Sequence, residues 1–380
     1  MKIKLFAIFL FVVFFLNANA QEFKLGKVSI KELEEKACPK DTTASAAILF
    51  NKAKTFFKYD NKFGFSIVTE NSFRIKIYKK DGLNWANYKL PYRTGYDKLN
   101  DDRVEFSDGV TYNIENGKIV KTKLSREGVF KTAINKNWKE ATITMPNVKV
   151  GSIIEFKYIL ISENIVEFPD FIFQYNIPVN SSEYNVDIPG FFVYKAVAKR
   201  PSEIISESNV TRGSLQFANE HSPTTTQSVS FEQQSNRHRA YYIPALKEEP
   251  FVDNIENYRI SIQHELEKTQ FYQEPVKDYS TTWEGVAKTI YLDKDFGKEL
   301  KERDYITQDL ARILKNVDSQ TERLDVIFKF VQNKMNWDHK KGYYTDKGVK
   351  QAYIDGTGND AEINFILIAM LNYAGIPTNP

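Results

Sequence analysis

From residue 45 to about residue 200, apolar and polar side chains alternate with the two-residue period of β-strands, and short polar turns interrupt the pattern. Two long strand-like runs, Ala46–Tyr59 and Phe65–Tyr78, flank the turn signal Asp60-Asn61. Further strands are predicted at Ala141–Met145, Ser152–Ile161, Phe171–Ile177 and Tyr184–Val197. The pattern therefore predicts an antiparallel β-sandwich of two sheets.

Two dipeptides between Arg103 and Leu124 predict hairpin turns. Asp108-Gly109 follows one short apolar run, and Asn116-Gly117 follows the next. Asp-Gly and Asn-Gly supply the positive φ values that two-residue turns require. We therefore expect a meander of three short strands in this stretch.

Residues 200–238 are dominated by serine, threonine, asparagine, glutamine and glutamate. This composition fits either polar β-hairpins or an exposed loop. The basic cluster Arg237-His238-Arg239 lies beside two tyrosines, a combination that can bind the bases and phosphates of a nucleic acid. A basic cluster of only three residues is more typical of a solvated turn, so we predict no nucleic-acid site.

Helical periodicity begins after about Tyr279. Two apolar stripes follow at helical spacing, and Ser319 with Glu322 predicts a capping box at the start of the second. The stripes consist of Ile306, Leu310, Ile313, Leu314 and Val317, and of Leu324, Ile327, Phe328, Val331 and Met335. The last helix, Ala361–Tyr373, is apolar on nearly every side, which predicts that it is buried all round.

The composition describes an ordered globular protein that is long enough for two or three domains. A β-rich region followed by a helical one places it in the α+β class. The chain has 380 residues, of which 42% are hydrophobic and 27% are charged, and its net charge is +3. This near balance gives no sustained attraction to nucleic acid. We place a signal peptide at residues 1–20, a β-rich sandwich region at residues 21–265 and a helical domain at residues 266–380.

The first twenty residues have the pattern of a secretory signal peptide. Lys2 and Lys4 precede the apolar run Leu5–Leu16, and Ala18-Asn19-Ala20 offers small residues for cleavage before Gln21. The apolar run is short for a membrane span, although an uncleaved anchor is the alternative. We expect an exported protein, periplasmic or extracellular, without a transmembrane span after cleavage.

Candidate chemistry is sparse along the chain. The single cysteine, Cys38, lies in a charged segment without a base nearby, so we interpret it as an incidental thiol. The four histidines are scattered and form no pattern of metal ligands, namely His221, His238, His264 and His339. We therefore predict no metal and no cofactor.

The segment from Gly356 to Pro377 resembles the nucleophile loop and helix of transglutaminase-like proteins, which belong to the papain-type cysteine protease superfamily. The family pattern is Gly-x-Cys, a helix, and Gly-Ile-Pro about fifteen residues after the cysteine. Here Gly375-Ile376-Pro377 follows Asp360 at that spacing, and Gly358 lies two residues before Asp360. The resemblance implies the helical half of a transglutaminase-like (papain-like) domain, with an aspartate at the nucleophile position.

The β-rich region resembles a bacterial domain of unknown function that commonly precedes a transglutaminase-like core in exported proteins. The resemblance covers roughly residues 45–200. It rests on Arg74–Tyr78, on Asn113–Lys118 and, most specifically, on the run from Met145 through Gly151-Ser152-Ile153-Ile154-Glu155. It implies a fold but no known chemistry.

The nucleophile-equivalent loop consists of Gly358, Asn359, Asp360 and Glu362. A carboxylate is a poor acyl nucleophile, so we interpret Asp360 as the N-cap of the helix, accepting hydrogen bonds from the amides of Glu362 or Ile363. An acid/base pair among Asp355, Asp360 and Glu362 is the alternative. His339 precedes Asp360, whereas the family histidine follows the nucleophile, so we assign it no role.

The chain ends at Pro380, before the strands on which the family carries its histidine and second acid. We expect either a longer natural product or an apolar helix that needs a partner to cover it. The favoured function is that of an exported, catalytically inactive transglutaminase-like protein with a binding or envelope-scaffolding role, whose partner is a protein, a peptide or a cell-envelope glycan. The alternatives are an active hydrolase or acyltransferase of the superfamily, and a carbohydrate- or peptide-binding β-sandwich.

Overall fold

The computed structural model describes residues 23–95, 99–219, 222–252, 254–271, 274–279 and 282–380, with the side chains of 216–219 and 222–227 left out. The predicted signal peptide, residues 1–20, and His221 lie outside these ranges. The chain divides into two compact units, Met1–Tyr279 and Ser280–Pro380, which we call the first and the second unit. The fold is α+β, as the sequence predicts.

Within its described residues, the first unit contains one α-helix, α1 (Ile30–Glu34), four short 3-10 helices and a succession of β-strands. In chain order the strands are β1 (Ala46–Asp60), β2 (Gly64–Ile77), β3 (Asn87–Arg93), β4 (Arg103–Glu115), β5 (Lys118–Lys123), β6 (Val129–Ala133), β7 (Trp138–Thr144), β8 (Ile153–Ser162), β9 (Phe171–Ile172), β10 (Val179–Pro189), β11 (Phe192–Lys199), β12 (Ile205–Asn219), β13 (Ser222–Ile243), β14 (Ser261–Thr269) and β15 (Lys277–Asp278).

The strands form one large sheet and two small ones. The large sheet has the order β12-β13-β10-β1-β2-β8-β4-β5, and the small sheets are β3-β7-β6 and β11-β14 with β9 and β15 on the far edge of β14. All strand pairs of these three sheets are antiparallel except β1 with β10, which is parallel. The expectation of a wholly antiparallel two-sheet sandwich is therefore wrong in the number of sheets and in the parallel pairing of β1 with β10.

The main core lies between the large sheet and both small sheets. Phe73 of β2, Ile143 of β7 and Phe192 of β11 all belong to one buried apolar cluster. Two small sheets thus share the task of covering one face of a larger sheet, as expected for a layered β-architecture.

The other face of β2 carries polar side chains that hold the segment leading into β1. Arg74 donates to a carboxylate oxygen of Glu155, at 2.7 Å, and to the carboxylate of Glu32 in α1, at 2.8 Å. Lys76, which has no exposed surface, donates to the carbonyl oxygens of Leu33 and Gly151. Side chains along β2 therefore alternate between the apolar core on one face and polar contacts with the segment before β1 on the other.

The two turn dipeptides behave differently. Asn116 and Gly117 both have positive φ and join β4 to β5, which confirms the predicted hairpin. Asp108 also has positive φ, but it lies within β4, where the register shifts between Ser107 and Val110. The prediction of a hairpin turn at Asp108-Gly109 is therefore wrong. The dipeptide forms a β-bulge, which requires the same positive φ as the turn.

Two further expectations are corrected by the strand assignments. The predicted strand Tyr184–Val197 is divided at Gly190 between β10 of the large sheet and β11 of a small sheet. The polar stretch after residue 200 forms the long hairpin β12–β13, one of the two alternatives that its composition allowed.

The second unit is helical. Its helices are α2 (Trp283–Leu292), α3 (Thr307–Ile313), α4 (Gln320–Lys334), α5 (Val349–Asp355) and α6 (Asp360–Tyr373), with a short parallel pair β16 (Asn336–Trp337) and β17 (Thr357–Gly358). Ser319 caps α4 by accepting from the amide of Glu322, which is one of the two hydrogen bonds of the predicted capping box.

Helix α6 is the centre of the core of the second unit. Phe365, Ile366 and Met370 are buried together with Leu310 of α3 and Val331 of α4. The expectation that α6 lacks a cover is therefore wrong, because the neighbouring helices of the same unit bury its apolar side chains. Within the described residues, no helix of either unit combines the length and apolar character needed to cross a bilayer.

Candidate functional site

The loop that precedes α6 is held by the β16–β17 pair. Gly356 ends α5 with a φ of 67°, in the left-handed region that favours glycine. Asn336 donates through its backbone to the carbonyl of Gly356, and Asp338 donates to the carbonyl of Gly358. The chain therefore enters α6 in a fixed direction, with Asn359 as the last residue before the helix.

Asn359, and not Asp360, is the N-cap of α6. Its side-chain oxygen accepts from the amide of Glu362 at 2.9 Å, and the Glu362 carboxylate accepts from the amide of Asn359 at 2.9 Å. This reciprocal pair is a capping box. The predicted cap at Asp360 is therefore wrong by one residue, because Asn359 already occupies the extended position that an N-cap needs.

The Glu362 carboxylate is fully buried and surrounded by backbone amides. One oxygen accepts from the amides of Asp346, Lys347 and Gly348, at 3.0, 2.7 and 3.1 Å, and the other accepts from the amide of Asn359. Four amide donors satisfy a buried carboxylate without a counter-ion. Glu362 therefore fixes the loop of residues 346–348 to the start of α6.

Gly358 lies directly beneath this carboxylate. A Cβ atom placed on Gly358 would be 2.9 Å from Oε2 of Glu362 and 3.2 Å from Cβ of Ala352. Glycine is thus required here for close approach. Gly358, the glycine of the Gly-x-Cys pattern, therefore has a physical role in this chain: it leaves room for the Glu362 side chain.

Asp360 is the first residue of α6 and is partly buried. Its amide faces the carbonyl of Lys340 at 3.4 Å, and its carboxylate makes no hydrogen bond or ion pair with the described residues. The N-terminus of a buried helix favours negative charge, which stabilises the carboxylate and weakens it further as a nucleophile.

Asp355, which the alternative acid/base interpretation groups with Asp360 and Glu362, is held by other side chains. Asp355 accepts from Nζ of Lys347 at 2.7 Å and from the side chain of Gln351, and the Lys347 hydrogen bond lowers the pKa of Asp355. Asp355 and Glu362 are therefore each held by their own donors, which gives no support to a shared proton between them.

Two candidates remain. His339 is next in the chain to Lys340, whose carbonyl accepts from the amide of Asp360, whereas Cys38 belongs to the first unit. His339 has a φ of 68° and its ring lies against Trp337, 4.9 Å between ring centroids. Cys38 is fully buried in the first unit beside Ala44, Ala47 and Tyr78. In the described parts of the chain, no three residues among His, Cys, Asp and Glu are grouped as a metal site would require.

Sequence reasoning assigned no role to the residues of a large cavity in the first unit. The cavity has a volume of about 790 Å³ and lies over the large sheet, where Thr55, Thr69 and Asn71 form part of its lining. Strands β3 and β9, which belong to the two different small sheets, also line it. Its residues come from strands far apart in the chain, and no local motif unites them.

Comparison with known families and structures is consistent with this architecture. Residues 65–226 match DUF3857, a domain of unknown function with solved structures, which extends from β2 into β13. No protein in a search of curated proteins is similar to the chain in sequence.

The crystal structure of a "putative protease" from Parabacteroides distasonis resembles this fold, with a TM-score of 0.55 and 15% sequence identity. The match covers 88% of this chain and 59% of that one, so the chain spans less than two thirds of the length of its structural neighbour. A "putative nutrient binding protein" from Legionella pneumophila covers 87% of this chain and 94% of its own, at 8% identity and a TM-score of 0.20, which is too low to support an argument.

Proposed function

We propose that this chain is an exported transglutaminase-like protein that acts by binding and does not carry out cysteine-type acyl transfer. The binding partner would be a protein, a peptide or a cell-envelope glycan. The N-terminal pattern of Lys2, Lys4 and the apolar run Leu5–Leu16 supports export. The order of elements in the second unit supports the transglutaminase-like assignment.

The observation that carries the proposal is the position of Asp360. It begins a buried helix two residues after Gly358, at the place where the resemblance puts a nucleophilic cysteine. A thiolate at a helix N-terminus is stabilised and still nucleophilic, whereas a carboxylate there is only stabilised. The one thiol of the chain, Cys38, has no exposed surface from which to attack an external acyl group.

An acyl-transfer assay tests the absence of catalysis. The mature protein is incubated with casein and a fluorescent primary amine, and incorporation of the amine is compared with Asp360→Ala and with buffer. We expect the same background incorporation of the amine in all three samples. Turnover in the wild type that Asp360→Ala abolishes would overturn the proposal and favour the alternative, an active acyltransferase or hydrolase.

A thiol placed at residue 360 tests whether this is the nucleophile position of the fold. In a Cys38→Ser background, Asp360→Cys should give a thiol with a lowered pKa, because the helix N-terminus stabilises the thiolate. Tyr373→Cys, at an exposed position in the last turn of the same helix, is the matched control. The pH dependence of iodoacetamide alkylation measures both pKa values, and equal values would contradict the assignment.

Export is tested separately by the mass of the mature chain. We expect the protein recovered from outside the cytoplasm to begin at Gln21, since Ala18-Asn19-Ala20 supplies the small residues of a cleavage site. An intact Met1 in the recovered protein would favour the uncleaved anchor instead.

A further inference from the structure

The floor of the cavity in the first unit is polar and hydroxyl-rich. The hydroxyls of Thr55 and Thr69 lie 2.9 Å apart on paired positions of β1 and β2. Asn71, two residues further along β2, donates to the hydroxyl of Tyr158 at 3.2 Å. These groups project from the centre of the large sheet into a space lined by several aromatic rings.

Asn71, in the floor of the cavity, has a buried acceptor that no described residue satisfies. Its side chain is 2% exposed, and its Oδ1 atom has no hydrogen-bond donor among the described residues. A buried acceptor without a donor costs free energy, and native proteins seldom keep one unless something else satisfies it. A ligand with hydroxyl or amide donors would supply that hydrogen bond.

The walls of the cavity are aromatic. Tyr88 and Tyr175 are deep in the unit, and burial raises the pKa of both phenols, so their hydroxyls stay protonated. Both side chains nevertheless keep some accessible surface, and both line the cavity. Trp85 lies against Tyr175 with 6.1 Å between ring centroids. Flat rings beside hydroxyl groups suit a ligand with one apolar face and polar edges.

Every charged side chain of the lining already has a protein partner. The pairs are Lys89 with Glu140, Arg93 with Glu167, Arg259 with Glu256, Asp170 with Gln263, and Asp102 with the amide of Arg93. The lining holds three basic and three acidic side chains, so it offers a ligand no net charge, and a neutral ligand leaves all of these contacts intact. The electrostatics therefore favour a neutral ligand.

A peptide that adds a strand to β3 is disfavoured by the edge of that strand. On the side away from β7, the amide of Arg93 donates to the carboxylate of Asp102 and the carbonyl of Arg93 accepts from the amide of Asp102. Because backbone groups alternate along a strand, Pro91 faces the same edge and has no N–H to donate. The amide of Asn87, which also faces this edge, donates to the carbonyl of Asn84. Few donors remain for an added strand.

We propose that this cavity binds a neutral saccharide, with pyranose rings against Trp85, Tyr88 and Tyr175 and a sugar hydroxyl donating to Oδ1 of Asn71. A sugar hydroxyl both donates and accepts, which matches the threonine and tyrosine hydroxyls of the floor. The inference deepens the proposed binding role by naming the ligand class, and it does not depend on the chemistry of Asp360.

The test is calorimetric titration of the mature full chain with neutral hexasaccharides: cellohexaose, xylohexaose, mannohexaose, maltohexaose and chitohexaose. A galacturonic acid hexamer and a neutral decapeptide serve as comparisons. We expect at least one neutral hexasaccharide to bind and to quench tryptophan fluorescence, since Trp85 and Trp138 line the cavity. Binding of the decapeptide alone, of the acidic hexamer alone or of none would overturn the proposal.

Two variants locate the site. Asn71→Leu removes the unsatisfied acceptor and should weaken binding by about tenfold or more, the value of about one hydrogen bond. Trp85→Leu should weaken it to a similar degree and keeps the proposal testable if Asn71→Leu does not fold. Phe130→Ala, at an exposed aromatic of β6 that does not line the cavity, should bind like the wild type.

Affinities that are unchanged in both Asn71→Leu and Trp85→Leu would place any saccharide elsewhere and overturn the inference. Asp360→Ala should bind like the wild type. If saccharide binding fails while the acyl-transfer assay stays negative, the ligand class alone is wrong. If acyl transfer is found while binding persists, only the proposal about catalysis fails.

Discussion

The carboxylate of Glu362 lies directly over Cα of Gly358, so that a Cβ atom on residue 358 would be 2.9 Å from Oε2 and 3.0 Å from Cβ of Glu362. Real Cβ atoms do not approach other heavy atoms so closely. The two residues therefore form a single packing unit at the start of α6, and neither can be changed without moving the other.

Gly358→Ala should destabilise the second unit by about 1–3 kcal/mol, the usual cost of overpacking a filled site. The expected measurement is faster hydrogen exchange in peptides from residues 346–373. Gly342→Ala is the matched control, since a Cβ there would meet nothing closer than 3.7 Å. Equal exchange in the two variants would show that Glu362 is not held as tightly as its four amide contacts imply.

The capping residue of α6 can be identified by two neighbouring substitutions. Asn359→Ala removes the acceptor for the Glu362 amide and should cost about 1 kcal/mol, within the range for lost N-caps. Asp360→Ala removes only a charge near the helix N-terminus and should cost about 0.3–1 kcal/mol at low salt. Hydrogen exchange in peptides from α6 compares the two variants, and the reverse order would restore Asp360 as the cap.

The sequence predicted much of this helix but not what fixes its start. The apolar run Ala361–Tyr373 was sufficient to predict a buried helix, because an all-round apolar pattern fits no other position in a fold. The role of Glu362 was not predictable, since three of its four donors come from a loop that precedes it by fourteen to sixteen residues. No local spacing records such a contact.

In the β-rich region, too, local sequence patterns predicted local structure but not contacts between distant strands. Asn116-Gly117 gave the correct hairpin, whereas Asp108-Gly109 gave a bulge, because positive φ serves both structures. The cavity was not predicted at all. Asn71, Tyr88 and Tyr158 lie on three different strands, and only the strand order of the sheets brings them together.

Arg74 and Glu155 form a buried ion pair that ties the segment before β1 to the large sheet. Arg74→Met would leave the Glu155 carboxylate buried with only the Tyr112 hydroxyl and the Gly26 amide as donors. We expect the first unit to lose about 3–5 kcal/mol, as is usual when one partner of a buried pair is removed. Thermal unfolding followed by near-ultraviolet circular dichroism measures the loss.

The control for Arg74→Met is Lys329→Met, which breaks the exposed pair of Lys329 with Asp325 on α4. That pair should contribute no more than about 0.5 kcal/mol, because water competes with it. A loss at Arg74 as small as the loss at Lys329 would mean that the segment before β1 contributes little to the stability of the sheet.

His264 gives the first unit a stability that depends on pH. Its side chain is 5% exposed, both ring nitrogens lack partners among the described residues, and Phe168 packs against the ring at 4.6 Å. Burial, with a smaller effect of the nearby His238, lowers the pKa of His264 from 6.5 to about 4. The folded state therefore holds this histidine neutral while the unfolded state takes up a proton.

The stability from this neutral histidine is fully present above pH 6.5 and is lost as the pH falls through about 4, a difference of about 3 kcal/mol. His264→Phe should reduce the loss of unfolding free energy between these two pH values by about that amount, and the slope that remains comes from His238, whose pKa burial also lowers, and from the carboxylates. Urea unfolding at a series of pH values measures the difference. His339→Asn, at an exposed turn, should keep the wild-type slope. A His264→Phe slope equal to that of the wild type would show that His264 takes up its proton equally in the folded state.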